Sequence, residues 1–229
     1  MIAAIHQPNF LPWIGYFQKI KNSDVFVFLD DVQFERGKTF TSRTKIIIGE
    51  QEAWLTLPIK EKSELKEIRH SLVNLEINWK KKHLRTLELN YRRAPFFQEV
   101  FELIRNCYSQ ESEFLIDFNI SLILAICDYL GIETNFEQSS KIEGTAEMKG
   151  WDKILYILRS LNADVYLSGS GAGSKRYINE DDLIKENIQL KYQTASVKPY
   201  RKNCGHISFE KLSIVDLLFH KGKDSVLFF

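Results

Sequence analysis

The chain has 229 residues, of which 44% are hydrophobic and 13% aromatic, and its 31 Lys and Arg nearly balance its 30 Asp and Glu. A chain of this length can bury a sizeable core, and its aromatic content excludes intrinsic disorder. The formal net charge of +1 removes the bulk positive field on which general nucleic-acid binding depends. No stretch approaches the roughly 20 apolar residues of a membrane span, and the three widely spaced cysteines suit a reducing compartment. We therefore expect a cytoplasmic protein with no nucleic-acid partner and no membrane span.

The first thirty residues carry the pattern of a strand–helix–strand unit. Residues 1–5 form a short apolar strand, and Pro8 and Pro12 in the following loop prevent a helix from starting before position 13. The apolar positions of residues 13–23 recur with a helical period, and the run VFVFLDD that follows is typical of a strand buried on both faces. A βαβ unit of this kind predicts a parallel sheet.

The middle of the chain departs from this alternation. Residues 43–59 have the pattern of two strands joined by a Gly-containing turn, which predicts a β-hairpin. Residues 79–130 are predicted to be helical, with a break at Ala94-Pro95 and a final apolar helix capped by Gly131. We therefore predict that residues of about 40–130 form a hairpin and helical lobe inserted into a larger domain.

The last hundred residues return to alternating strands and helices. Strands are predicted at 134–138, 164–170 and 188–193, and helices at 149–163, 179–188 and 212–222. Alternation at both ends of the chain predicts one α/β domain over residues 1–229 with a mostly parallel sheet.

Three polar loops follow predicted strands, and α/β proteins bind their ligands beyond the carboxyl ends of the strands. Because the carboxyl ends of parallel strands share one edge of a sheet, we expect these loops to converge. The first loop contains His6, Gln7 and Asn9, the second Asp30, Asp31 and Gln33, and the third Ser168, Gly169, Ser170, Gly171, Lys175, Arg176 and Tyr177.

The first two loops offer proton-transfer and hydrogen-bonding groups. His6 is a candidate general base near neutral pH, although it could instead fix the turn through a backbone hydrogen bond. The amides of Gln7 and Asn9 could bind a substrate hydroxyl or cap their own loop. Asp30 and Asp31 could bind sugar hydroxyls or a metal, but adjacent strand residues face opposite ways, so only one is expected to face a ligand.

The third loop offers groups for an anion. The backbone N–H groups of residues 168–171 could cradle a phosphate or carboxylate, with Lys175 and Arg176 adding positive charge. The segment matches neither GxGxxG nor a P-loop, so a flexible strand-to-helix turn is the competing interpretation. Arg43, at the start of the hairpin, could bind an anion or pair with an acid of the second loop.

The remaining polar and sulfur-containing residues are interpreted as structural. His83, Arg92 and Arg93 fall on a predicted helix and are expected on its solvated face, whereas Cys107 and Cys127 fall in apolar helices and are expected in the core. The sequence contains no zinc spacing, no Cys/His pair and no Ser-His-Asp order. We therefore predict no metal site, and the cofactor stays unknown.

The residues quoted so far resemble the WbqC-like protein family across essentially the whole chain. The resemblance rests on IHQPNFLPWIGYFQKI at 5–20, SDVFVFLDDVQF at 23–34, Arg43, Leu55-Thr56-Leu57-Pro58, the Trp79 to His83 stretch, Tyr91 with Ala94-Pro95, residues 163–169 and residues 212–219. The opening motif is long enough to be specific.

The entry into the first helix is also similar to that of nucleotidyltransferases, which implies a Rossmann-like, nucleotidyltransferase-like architecture. In those enzymes two histidines of an H-x-G-H motif stabilise charge on the transferring phosphate, and here Trp13 and Tyr16 occupy their positions. Neither side chain can be cationic. This departure argues against adenylyl transfer, with His6, Lys175 and Arg176 as the available substitutes.

The family resemblance implies a transferase of bacterial surface-polysaccharide (O-antigen, lipopolysaccharide) biosynthesis that N-acylates or aminoacylates an amino sugar or nucleotide-linked sugar. Under this hypothesis His6 deprotonates the attacking amine, Asp30 or Asp31 binds the acceptor, and the loop at 168–177 holds an anionic group of the donor or nucleotide. The substrate-orienting residues would be Gln7, Asn9, Trp13, Tyr16, Gln33 and Arg43.

Two alternatives stay open from the sequence. The protein could be a nucleotidyltransferase or adenylate-forming ligase that uses an NTP, or a non-catalytic module that binds a glycan or nucleotide-sugar. The expected partner is a small-molecule sugar or nucleotide-sugar substrate. The sequence identifies neither the donor nor the oligomeric state.

Overall fold

The computed structural model describes residues 1–35, 39–49, 51–60, 66–194, 197–201 and 208–229. Their contacts group into two units. Unit 1 comprises Met1–Pro8, Gln18–Val32 and Glu133–Ala195, and unit 2 comprises Asn9–Phe17, Gln33–Ile132 and Ser196–Phe229.

The described residues form seven strands and eight α-helices, and the sequence pattern predicts all of them in this order except the short helix Ala172–Lys175. The strands are β1 (Ile2–His6), β2 (Val25–Phe28), β3 (Arg43–Ile48), β4 (Gln51–Thr56), β5 (Asn135–Gln138), β6 (Val165–Gly169) and β7 (Gln189–Gln193). The α-helices are α1 (Ile14–Lys21), α2 (Trp79–Tyr91), α3 (Phe97–Ser109), α4 (Leu115–Leu130), α5 (Gly150–Ser160), α6 (Ala172–Lys175), α7 (Glu180–Lys185) and α8 (Ile214–Lys221). Short 3₁₀ helices cover Ile68–His70, Ser139–Lys141, Phe209–Lys211 and Gly222–Phe228. No helix within these ranges is long and apolar enough to cross a membrane.

Unit 1 contains a five-stranded sheet in the order β5-β2-β1-β6-β7. Each neighbouring pair is parallel. Strands β2 and β5 follow on one side of β1, and β6 and β7 follow on its other side. The strand order therefore reverses between β1 and β6, which makes that gap the topological switch point. The predicted α/β fold with a Rossmann-like sheet is confirmed, and this sheet is parallel throughout.

Both faces of the sheet are covered, which explains the continuous apolar runs of its central strands. On one face Ala3, Ile5 and Val27 pack in a buried cluster that also contains Leu158 of α5 and Leu183 of α7. On the other face aromatic residues of β2 and β5 pack together. Phe28 stacks on Phe136 with ring centroids 5.6 Å apart, and Phe26 lies edge-on to both rings. Side chains of alternating strand residues thus fill two apolar layers.

Unit 2 contains the predicted hairpin and most of the long helices. Strands β3 and β4 pair antiparallel, with Arg43 opposite Thr56 and Ile48 opposite Gln51. Helix α4 is apolar almost all round and ends at Gly131, whose φ of 65° is the left-handed conformation expected of a glycine C-cap.

One helix of unit 2 corrects an expectation from the sequence. His83 was expected on a solvated helix face, but it is 7% exposed and lies on the buried side of α2 with Trp79 and Leu87. Its Nε2 lies 3.1 Å from the carbonyl oxygen of Thr56, and Nδ1 lies 3.3 Å from the hydroxyl of Tyr108. Burial lowers the pKa of His83 to about 4. The prediction was wrong because a polar side chain can lie on the buried face of a helix when it has hydrogen-bond partners there. Helical spacing does not show whether such partners exist.

The other residues interpreted as structural agree with the fold. Arg92 and Arg93 are exposed. Cys107 and Cys127 are buried free thiols, and burial raises the pKa of both. Cys204 lies outside the described residues.

Candidate functional site

The carboxyl ends of the five parallel strands define one polar edge of unit 1. In the strand register His6 of β1 lies beside Phe28 of β2, and Phe28 lies beside Gln138 of β5. On the other side of the switch point, Gly169 at the end of β6 lies beside Gln193 at the end of β7. The loops that follow β1, β2 and β6 therefore leave the sheet at this edge.

His6 is the last residue of β1 and borders the switch point. Its Nδ1 lies 3.2 Å from the carbonyl oxygen of Gln7. A hydrogen bond to a carbonyl requires the proton on Nδ1, which gives the lone pair to Nε2. Burial and the nearby charge of Lys19 lower the pKa of His6 to about 3, against the opposing effect of the Gln7 hydrogen bond. His6 is therefore a neutral imidazole at pH 7, so it can accept a proton but brings no positive charge to a phosphate.

Lys19 is a candidate site residue that the sequence analysis did not single out. It lies near the end of α1, is 3% exposed, and donates a hydrogen bond of 2.9 Å from Nζ to the carbonyl oxygen of Ile5 in β1. Within the described part of unit 1, no carboxylate lies within ion-pair distance of Nζ. Burial lowers the pKa of Lys19 from 10.5 to about 7. A lysine that is buried without a counter-ion is rare, because it loses its hydration without electrostatic compensation.

The two aspartates after β2 are both buried and hydrogen-bonded to the segment after β5. Asp30 accepts hydrogen bonds from the backbone N–H of Ser140 at 2.9 Å and from its hydroxyl at 2.6 Å. The hydroxyl of Ser139 lies 2.9 Å from Oδ1 of Asp30 and 2.5 Å from Oδ1 of Asp31. These contacts join the ends of β2 and β5. Direct contact of either aspartate with a substrate stays a prediction.

Asp31 also forms a buried ion pair with helix α5. Nζ of Lys153 lies 2.6 Å from its Oδ2, and the two side chains are 3% and 2% exposed. The same Nζ lies 3.3 Å from the backbone carbonyl oxygen of Asp31. The pair fixes the second loop against α5. Among the residues that the structure describes, no group of three His, Cys, Asp or Glu is arranged to hold a metal ion.

The third loop leads from β6 into the short helix α6. Ser168 is buried, whereas Ser170 and Gly171 are exposed at the edge. The two cations of this loop lie over aromatic rings: Nζ of Lys175 is 4.9 Å from the ring centroid of Tyr192, and the guanidinium of Arg176 is 5.6 Å from that of Tyr177. Tyr177 is 61% exposed. The loop thus presents two surface cations and a run of small residues beside the switch point.

The predicted substrate-orienting residues from position 9 onward belong to unit 2. Asn9 is 3% exposed, and its Oδ1 accepts a hydrogen bond of 3.3 Å from the hydroxyl of Thr41. Tyr16 is 1% exposed, and burial raises its pKa, against a hydrogen bond with the Asn9 backbone. The rings of Tyr16 and Trp13 lie edge to face, 5.7 Å apart. Gln33 is exposed and forms an isolated antiparallel bridge with Glu67.

Arg43 begins β3 and lies over Trp54 of β4. Its Cζ is 3.8 Å from the ring centroid, so the guanidinium is stacked on the indole. Trp54 neighbours Phe40, with ring centroids 5.7 Å apart, and Phe40 neighbours Trp13 at 5.3 Å. The structure therefore connects two of the predicted residues of unit 2, Trp13 and Arg43, through two aromatic rings that the sequence analysis did not single out.

Unit 2 also contains a buried carboxylate with several hydrogen-bond donors, which sequence reasoning did not identify. Asp216 is fully buried and accepts hydrogen bonds from the hydroxyls of Tyr91 and Tyr200, each 2.8 Å, and from the Arg201 guanidinium at 2.9 Å. Burial, followed by the charge of Asp216, raises the pKa of both tyrosines. Nδ1 of His220 donates to the backbone carbonyl of Asp216 at 2.7 Å. This network ties α2 and α8 to the segment that carries Tyr200.

The fold and this edge first define a class: an α/β protein with a Rossmann-like parallel sheet and polar loops at its switch point. The chain belongs to the WbqC-like protein family, whose model matches residues 7–227. It is 31% identical over 226 residues to the uncharacterized protein Rv1507c of Mycobacterium tuberculosis (strain ATCC 25618 / H37Rv), which covers 97% of this chain and 94% of that protein. No solved structure matches the chain significantly. The family predicted from the motifs is confirmed.

Proposed function

We propose that the switch-point edge of unit 1 transfers an acyl or aminoacyl group onto the amino group of a sugar or nucleotide-linked sugar in bacterial surface-polysaccharide synthesis. The observation that carries the proposal is the pair of His6 and Lys19 at the end of β1. Both side chains titrate below their ordinary values, and Lys19 does so near pH 7. The family resemblance supports the choice of a sugar as acceptor.

An amino-sugar acceptor needs a proton acceptor because its ammonium form has no lone pair with which to attack. A group whose pKa lies near the working pH combines a useful neutral fraction with enough basicity. Lys19, with a pKa of about 7, meets this condition better than His6, with a pKa of about 3. We therefore assign the proton acceptance to Lys19 and propose that Nε2 of His6 orients the acceptor through a hydrogen bond.

The reaction then needs few other groups. The acceptor nitrogen forms a bond to the donor carbonyl carbon, the bond to the leaving group breaks, and the proton passes to Lys19. We propose that Gln7 orients the acceptor, and that the loop at 168–171 with Lys175 and Arg176 holds an anionic part of the donor or nucleotide. Asp30 and Asp31 hold the second loop in place through the contacts described above. Contacts of Asn9, Trp13, Tyr16, Gln33 and Arg43 with the same substrate stay predictions.

The first experiment identifies a ligand. A thermal-shift screen would test nucleotide-sugars, acyl-CoAs, amino acids, and NTPs with Mg²⁺. A ligand at 100 times its Kd adds about 2.7 kcal/mol to the stability of the folded state, which is visible as a melting shift. Stabilisation by a nucleotide-sugar and by an acyl or aminoacyl donor is the expected result, and turnover is then measured with that pair.

The second experiment assigns the residues. Lys19→Met should lower kcat by about 10²- to 10⁴-fold while acceptor binding survives. His6→Asn removes the orienting hydrogen bond, so it should weaken acceptor binding and lower kcat less than Lys19→Met does. Lys21→Met is the matched control, because Lys21 belongs to the same helix but is exposed. Unchanged kcat in Lys19→Met would retire the proposed proton acceptor. Tight binding of a sugar without turnover of any donor would instead favour a binding module.

The sheet order favours one second candidate function. A parallel sheet with its switch point next to the first strand is typical of mononucleotide-binding halves, which suits a nucleotidyltransferase or adenylate-forming ligase. That activity would release pyrophosphate from an NTP in the presence of Mg²⁺. The neutral His6 is poorly suited to it, and an absence of pyrophosphate with every NTP would exclude it.

A further inference from the structure

One face of the hairpin in unit 2 carries two cations over a single indole. Lys45 lies directly opposite Trp54 in the strand register, and Arg43 lies two residues before Lys45 on the same face. The Arg43 guanidinium is 3.8 Å from the Trp54 ring centroid, and Nζ of Lys45 is 5.4 Å from it. The two cations therefore share an aromatic partner but differ in their other contacts.

Lys45 and Arg43 differ in their ion pairs among the residues that the structure describes. Lys45 forms an ion pair with Glu52 on the adjacent strand. Within the described residues of unit 2, no carboxylate lies within ion-pair distance of Arg43, and its buried Nε has no hydrogen-bond partner. A buried N–H donor without an acceptor costs about 1–3 kcal/mol. Because Nε is closed to solvent, an external oxyanion would contact the guanidinium through its terminal N–H groups.

The surroundings of Arg43 are aromatic and open to solvent. Trp54 is 40% exposed and Phe40 is 36% exposed, and both rings lie in one series with Trp13. Exposed aromatic rings beside a polar group favour ligands that have one flat apolar face and one charged substituent. We call Trp13, Phe40, Arg43 and Trp54 the hairpin platform.

We propose that the hairpin platform binds a sugar that carries an oxyanion, with the guanidinium of Arg43 on the oxyanion and the aromatic rings against the sugar ring. A planar guanidinium presents parallel N–H donors that match the two oxygens of a carboxylate or phosphate. The choice of a sugar rests on the proposed function, whereas the oxyanion rests on the geometry of Arg43. The platform thus recognises acidic or phosphorylated saccharides independently of any transfer step.

The test is direct binding without turnover. Isothermal titration and tryptophan emission would be followed with glucuronate, glucose 6-phosphate, glucose and acetate as probes. Glucuronate or glucose 6-phosphate should bind at least about tenfold more tightly than glucose and acetate, because only these two present the ring and the oxyanion together. The stronger of the two identifies whether the oxyanion is a carboxylate or a phosphate.

Variants separate the platform from general charge. Arg43→Gln should weaken the stronger probe by about 10- to 100-fold, and Arg43→Lys should restore only part of it because an ammonium lacks the planar fork. Lys45→Gln is the matched control, because it removes a cation that lies over the same ring but is already paired with Glu52. The affinity for the probe should therefore stay within about twofold. Trp54→Phe should reduce the ligand-dependent change in emission, and Trp13 accounts for any change that is left. Melting temperatures would confirm that each variant is folded.

Several results would overturn the proposal. Binding that is unchanged in Arg43→Gln, or that falls equally in Lys45→Gln, would show that Arg43 does not bind the oxyanion. Binding of acetate as tight as that of glucuronate and glucose 6-phosphate would overturn the assignment to a sugar. His6→Asn should leave platform binding intact, so a failure of the proposed transfer reaction would be distinguishable from a failure of this site.

Discussion

Two regions of unit 1 bury a lysine to the same extent and compensate the charge differently. Taken as whole residues, Lys153 on α5 and Lys19 on α1 are 2% and 3% exposed. Lys153 lies 2.6 Å from a carboxylate oxygen of Asp31, whereas Lys19 donates 2.9 Å to the carbonyl oxygen of Ile5. A carboxylate compensates a buried ammonium far better than a neutral carbonyl does.

The difference separates a structural lysine from a chemical one. The ion pair of Lys153 with Asp31 fixes two segments of chain together. An ammonium with only a carbonyl partner releases its proton more easily, which is why burial brings the pKa of Lys19 to about 7. Lys19 can therefore change its charge at physiological pH.

The largest expected effect is a pH dependence of stability caused by Lys19. Its pKa is about 7 in the folded protein and 10.5 ordinarily, so the unfolded chain binds more protons between these values. Stability should therefore rise with pH from about 7 to 10.5, by a total on the order of 5 kcal/mol. Below pH 7 the full penalty is present in the folded state. Urea unfolding at pH 6 to 10 measures the rise.

Lys19→Met isolates this contribution from all other titrations. Methionine has a similar length without the charge, so the variant should be more stable than the wild type at pH 6, and the difference should shrink toward pH 10. Parallel stability curves for the two proteins would show that Lys19 is not the titrating group.

A loss of about 3–5 kcal/mol is expected for Lys153→Met, because it leaves the buried carboxylate of Asp31 without its counter-ion. The free energy of unfolding in urea at pH 7 is the measurement. Asp31→Asn in the same chain should recover part of the loss, since the remaining amide carries no charge. If the double variant is no more stable than Lys153→Met, the ion pair is not what fixes the second loop.

A buried charge in unit 2 extends the comparison to a carboxylate. Tyr91→Phe removes one of three side-chain donors to Asp216 and should destabilise the protein by about 2 kcal/mol. The loss should be smaller than that of Lys153→Met because Arg201 and Tyr200 still compensate the charge. Urea denaturation of Tyr91→Phe and Lys153→Met measures which variant loses more stability. Equal losses in the free energy of unfolding would contradict this prediction.

The smallest effect is expected where a pair is exposed. Arg85 and Glu88 on α2 lie 2.8 Å apart, with side chains 62% and 44% exposed. Arg85→Ala should change the free energy of unfolding by no more than about 0.5 kcal/mol, because solvent screens the pair. A loss above 1 kcal/mol would mean that burial is not what separates these interactions.

Much of the fold was predictable because it depends on local patterns. The helical period after Pro12, the apolar run of β2 and the alternation after residue 134 correctly indicated the strands of the parallel sheet and the helices between them, except for the short α6. Strand ends are also local, so the polar loops after β1, β2 and β6 could be named from the sequence. What the sequence left open was which polar side chains in those loops have partners inside the protein.

The order of the strands determines where the candidate site lies, and it is not a local property. Placing β6 rather than β5 beside β1 creates the switch point next to His6. The second loop is held by contacts of Asp31 with Ser139 and Lys153, which lie 108 and 122 positions after Asp31 in the chain. Because such contacts join residues that are distant in sequence, no window of the chain contains both partners.

The sequence by itself determined the elements, their order and the residues at the ends of the strands, because backbone propensity and hydrophobic period act over a few neighbours. Only the tertiary structure decided the protonation chemistry. Lys19 and Lys21 are the same residue type two positions apart on one helix, yet the first is 3% exposed and the second faces solvent. A pKa depends on the surrounding water and charges, and these are set by the packing of distant segments.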